Sequence, residues 1–100
     1  MHTESRAEEP IAFELDGDID VGTAGILGDR LCALIESGPP AIAVLCASVT
    51  FIESRGLAMM ARVQRFADEA GCPLSWRDLP LDVLRTIHVT GLDAYLRIEA

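Results

Sequence analysis

The order of apolar and polar positions divides the chain into alternating extended and helical segments. Ile11, Phe13 and Leu15 alternate with Ala12 and Glu14, the period of two expected of a half-buried strand. Asp16-Gly17-Asp18 is expected to break it. From Thr23 the spacing becomes helical, with Ala24, Leu27, Leu31, Leu34 and Ile35 on one face and Asp29, Arg30 and Glu36 turned away. Gly38 ends this helix, and Pro39-Pro40 prevents its return. Ala41 to Cys46 is an unbroken apolar run, the pattern of a central parallel strand covered on both faces.

A second apolar segment, Val49-Thr50-Phe51-Ile52, runs into the polar corner Glu53-Ser54-Arg55-Gly56 and on into a second helix. That helix is expected to begin at Gly56 or Leu57 and to end at Ala70, before the capping Gly71. Met59, Met60, Val63, Phe66, Ala67 and Ala70 form its apolar stripe, and Arg55, Arg62, Arg65 and Glu69 line the opposite face. Pro73 starts a third strand in which Leu74 and Trp76 share a face. Pro80 opens a short helix carrying Leu81, Leu84, Ile87 and His88, closed by Gly91 with Leu92 behind it. A last extended segment is expected around Tyr95 to Ile98.

Strands alternating with helices through short loops predict an α/β layer fold: a small sheet of about four strands, mostly parallel, with helices mainly on one face. Residues 1 to 9 are polar and acidic and read as a loose tail, and residues 10 to 100 as one domain. At 100 residues, half of them apolar, the chain supports a single core.

Sixteen acidic against eight basic residues, a net charge of −8, argue against binding a phosphate backbone or adsorbing to anionic lipid. No apolar run approaches the roughly 18 residues of a membrane span, and the first nine residues lack the apolar centre of a signal peptide. Cys32, Cys46 and Cys72 are odd in number and lack CxxC spacing, so they read as small core residues of a reduced, cytoplasmic protein.

Three local motifs, in order along the chain, carry a family resemblance. They are Leu15-Asp16-Gly17-Asp18-Ile19-Asp20 followed by Thr23-Ala24, then Val49 through Leu57, then Val83-Leu84 through Thr90-Gly91-Leu92. Together with the order of elements they resemble the STAS domain of bacterial anti-sigma factor antagonists and of sulfate-transporter tails, and the resemblance covers nearly everything from Ile11 to Ile98. The resemblance implies a non-enzymatic protein-binding module without cofactor, whose partner is an anti-sigma factor with a kinase-like ATPase fold. In that family the serine or threonine before the glycine of the second motif is phosphorylated by the partner, and the phosphate blocks binding. Arg55 occupies that position here, Glu53 replaces the family aspartate, Ser54 is kept, and Leu45 stands where the central strand ends in an acidic residue.

Ser54 reads first as a helix N-cap, with Glu53 beside it and Gly56 allowing a tight turn, so that free amides face solvent and attract anions. Ser54 is also the nearest hydroxyl that could accept phosphate. Arg55 is either an unremarkable surface cation or one placed to meet a partner. A phosphate adds about −1.5 to −2, so a fixed positive charge at its acceptor position removes that switch. The candidate partner-binding set is Asp18, Glu53, Ser54, Arg55, Gly56, Arg62 and Arg65, with the three arginines as a docking stripe. No nucleophile or second catalytic carboxylate accompanies Glu53. Asp16, Asp18 and Asp20 lack the glycine and glutamate of an EF-hand loop, and no metal site is expected. His88 reads as a core or boundary histidine. A second function class compatible with the resemblance, and needing no phosphate, is an accessory subunit gripping the ATPase of a lipid-transport ABC transporter.

Overall fold

The computed structural model describes residues 9–99. Its four strands are β1 (Ile11–Ile19), β2 (Ile42–Ile52), β3 (Leu74–Arg77) and β4 (Ile98–Glu99), all parallel and in the order β1-β2-β3-β4. Between them run α1 (Ala24–Glu36), α2 (Ser54–Ala70) and α3 (Leu81–Thr90), the last followed by a 3-10 turn over Leu92–Ala94. The expected α/β class, the parallel order and the central place of β2 are all found. The expected tail lies almost wholly outside the described residues.

One sheet face carries the core. Ile42, Val44 and Cys46 join Leu74, Trp76 and Leu15 in a buried cluster with Leu31 and Ile35 of α1, Met60, Val63 and Ala67 of α2, and Val83 and Ile87 of α3. The intervening Ala43 and Leu45 point to the other face, and on that face Arg77 and Glu99 pair at 3.2 Å. Burial pushes the Cys46 thiol up to about 12, so it stays protonated as an inert core group. Ala70, expected in the α2 stripe, is exposed, as the last helical residue before the left-handed Gly71 cap.

Two strand boundaries differ from expectation for one reason. Asp16-Gly17-Asp18 does not end β1, and β2 continues past Cys46 to Ile52. The pairing Glu14↔Leu45 gives way to Asp16↔Ser48, and Gly17↔Val49 to Asp18↔Phe51. At each step β2 contains one extra residue, a bulge that breaks the period of two while the ladder goes on. Gly17, at φ +70°, supplies the left-handed conformation between the two bulges.

His88 is exposed rather than at the core boundary, and its Nδ1 lies 2.6 Å from the Asp93 carboxylate. Hydrogen bonding and charge from Asp93 raise the His88 pKa above its ordinary value, while the histidine lowers that of Asp93. The raised His88 value means that the pair's stabilisation is present below the unfolded histidine pKa and lost as pH rises through the folded one. The lowered Asp93 value removes it again in acid. The melting temperature is therefore expected to fall slightly as pH rises above the ordinary histidine value of about 6.5. In His88→Gln that step should vanish, and an identical pH profile for the variant would refute the assignment.

Candidate functional site

The C-terminal ends of β1 and β2 meet the starts of α1 and α2 at one end of the sheet, the usual place for a site in an open α/β fold. After β1 the chain turns through Asp20 to Thr23. Asp20 Oδ1 accepts the Gly22 amide at 2.9 Å, and the Thr23 hydroxyl accepts the Asp20 amide and donates to the Asp18 carbonyl, each at 3.0 Å. Asp18, one of the sequence candidates, accepts a 2.7 Å bond from the Thr50 hydroxyl of β2. It therefore ties the two strand ends together, and Thr50, missed from the sequence, is its partner.

The Glu53 amide donates to the Ile19 carbonyl at 3.2 Å, and the Glu53 carbonyl accepts the Leu57 amide at 3.0 Å as the first bond of α2. Glu53, with extended backbone at φ −113°, is thus the N-cap, and Ser54 is the first helical residue. The expected Ser54 cap is displaced by one position, because the helix begins at Ser54, ahead of the expected Gly56 or Leu57. No side chain caps this end, so its first amides keep the partial positive charge of a helix N-terminus. Ser54 and Arg55 are exposed.

Gly56 is buried, and the reason for it is close approach rather than a tight turn. A Cβ there would lie 2.6 Å from Ile52 Cγ1, 2.8 Å from Ile19 Cγ2 and 2.9 Å from the Ile19 carbonyl oxygen. Only glycine lets the helix start sit against both strand ends, and that contact fixes where Ser54 and Arg55 project.

The three arginines of the expected stripe have different circumstances. Arg62 Nη2 donates to Asp29 Oδ1 of α1 at 2.8 Å, and this bond holds the Arg62 pKa above its ordinary value. The guanidinium crosses α1 over Gly28, where a Cβ would come within 3.0 Å of it. Arg65 pairs with Glu69 one turn on, at 3.3 Å. Arg55 forms no ion pair among the described residues. Arg55 and Arg62 border a groove of about 230 Å3 between the β1–α1 turn and α2, with Val21, Gly25, Ala58 and Met59 as its apolar walls. Val21 and Phe51, at 64% and 53% exposure, bring apolar surface to the same end of the sheet. Their partnerless exposure depends on the three-dimensional meeting of two turns, which sequence spacing does not reveal.

Cys32, half-buried on α1, has its pKa raised by burial despite the opposing charge of Arg62, so it is no activated thiol. Among the described residues no cluster of three or more histidine, cysteine and acidic side chains has metal-binding geometry. No helix is long and apolar enough to cross a membrane among the described residues. This corner offers a cation, uncapped amides, hydroxyls and exposed aliphatic surface, all suited to recognition.

Residues 2–98 match the family described as "Mlab, STAS domain". An anti-sigma-B factor antagonist of Bacillus subtilis (strain 168) is 27% identical over 93 residues, covering 93% of this chain and 84% of that protein. The fold is also similar to a crystal structure of a candidate anti-sigma factor antagonist from Thermotoga maritima, with a TM-score of 0.77 at 16% identity over 90% of this chain and 81% of the other. The anti-sigma factor antagonist SpoIIAA in its unphosphorylated form gives a TM-score of 0.74 at 15% identity, over 93% and 82% of the two chains.

Proposed function

This chain belongs to the STAS domain family, and we propose that within it the protein is a non-enzymatic regulator of the anti-sigma factor antagonist type. It binds a partner with a kinase-like ATPase fold through the corner Glu53 to Gly56 and the exposed face of α2, so that the partner's hold on a sigma factor is released. The observation that carries this reading is the corner itself: an uncapped helix start beside exposed apolar side chains, positioned by the buried Gly56. The relative from Bacillus subtilis supports the choice of partner.

Arg55 makes this a version without a phosphate switch at that position. Arginine has no hydroxyl to receive phosphate, and the docking surface carries a fixed positive charge where a phosphorylated one would be negative. Ser54 is exposed and is the adjacent hydroxyl. Incubation with the cognate kinase-like partner and ATP is expected to leave the intact mass unchanged while a complex forms. Stoichiometric phosphate on Ser54, with loss of the complex, would show that the switch has moved by one residue.

Arg55 also favours a second reading, an accessory subunit held by the ATPase of a lipid-transport ABC transporter, because such a role needs no phosphate acceptor. Affinity capture from native extract separates the two by the partner's identity.

A further inference from the structure

The groove beside Arg55 has apolar walls, a charged rim and no carboxylate in its lining. Val21 and Gly25 form one wall, Ala58 and Met59 the other, and Arg55 and Arg62 stand at the edge. The nearby acids are already engaged or set aside from it: Asp29 neutralises Arg62 at 2.8 Å, Asp20 is bonded to the Gly22 amide, and Glu53 does not line the groove. Arg55 is the lining cation without an ion pair among the described residues.

Resting on the reading of this corner as a protein-docking site, we propose that the groove takes an aliphatic side chain of the partner protein with one carboxylate beside it, the carboxylate pairing with Arg55. The apolar walls select the aliphatic group, since a polar side chain entering between Val21 and Met59 would lose its water without finding a hydrogen-bonding side chain there. Arg55 selects the carboxylate. The net charge of −8 sets the limit on that acidity: a long acidic tract would be repelled by the rest of the surface, whereas a single acid meets Arg55 locally. Arg62, held in place by Asp29, keeps the groove's second edge fixed and adds little net charge.

The test places the photo-cross-linker p-benzoylphenylalanine at Val21 of the full chain, and in a second variant at Val89, an 84% exposed residue of α3 away from the groove. After irradiation in native extract, the cross-linked peptide from the Val21 variant is sequenced. The expected partner segment has an aliphatic residue within one or two positions of Asp or Glu, or adjacent to one on a helix face. Arg55→Glu should lower the cross-link yield at Val21 by roughly tenfold or more, and changing the identified partner acid to Lys should restore it, as expected of a desolvated charge pair. Cross-linking at Val89 but not at Val21 would overturn the groove and keep the protein-docking reading. Absence of any cross-link at both positions would overturn the docking reading itself. A second copy of this chain, a phosphorylated segment or a basic segment at Val21 would overturn the proposed occupant, as would failure of the charge exchange to restore the yield.

Discussion

Gly56→Ala is expected to destabilise the fold by about 1–3 kcal/mol, the usual range for overpacking a filled interior, and to weaken partner binding even where the protein remains folded. The new methyl would lie 2.6 Å from Ile52 Cγ1 and 2.9 Å from the Ile19 carbonyl oxygen. Ile52 could rotate, but the carbonyl is held in place because it accepts the Glu53 amide. Relief therefore requires the start of α2 to move away from the strand ends. Such a movement carries Ser54 and Arg55 with it and opens the wall of the groove formed by Ala58 and Met59. Alanine's better helix propensity, at most about 1 kcal/mol, offsets only part of the cost.

Gly25→Ala provides the contrast. A Cβ at Gly25 meets nothing within 4 Å, and the residue lies in the first turn of α1. This change is expected to be neutral or to stabilise by up to about 1 kcal/mol. Denaturant unfolding of both variants checks the pair. Equal stabilities for Gly56→Ala and Gly25→Ala would mean that Gly56 is not the close-contact residue described.

The different fates of these two glycines show what the sequence could and could not disclose. The strand Ala41 to Cys46 is legible as an unbroken apolar run and the stripe from Met59 to Ala67 as a period of 3.6, because each signal lies within one element and does not depend on its exact neighbours. Gly56 was visible only as a glycine at a corner, and its steric reason requires Ile19 and Ile52 to be brought together from two strands. Likewise the continuation of β2 past Cys46 to Ile52 is not legible, since each of its two bulges adds a residue and shifts every later side chain to the other face. The sequence placed Arg62 correctly on the outer face of α2, but its engagement with Asp29, 33 positions away, depends on how α1 and α2 cross. For the same reason Arg55 and Arg62, which look equivalent by spacing, differ in the charge they leave available.

The largest single effect expected for the core is at Trp76, which a polar residue inside the apolar face of α2 holds in place. Gln64 is buried, and its Oε1 accepts two bonds, from the Trp76 indole N–H at 2.9 Å and from the Arg97 amide at 3.1 Å. Its Nε2 donates to Asp68 at 3.1 Å. One side chain thereby joins α2 to β3 and to the segment leading into the short β4. Trp76→Ala empties a fully buried site and is expected to cost about 3–5 kcal/mol, a large share of the 5–15 kcal/mol that holds a typical domain together. Gln64→Leu fills much of the same space but leaves the indole and the Arg97 amide without their acceptor, which should cost about 1–3 kcal/mol. Because the two residues share a bond, the double variant should cost less than the sum of the single ones. Gln64 lies about 13 Å along the helix axis from Arg55 at 1.5 Å per residue, and Gly56, not Gln64, seats the helix start. The folded fraction of Gln64→Leu should therefore bind its partner with unchanged affinity, while its unfolding midpoint falls. A midpoint indistinguishable from the parent chain would remove Gln64 from the core's supports, and a loss of affinity without loss of stability would connect it to the docking corner instead.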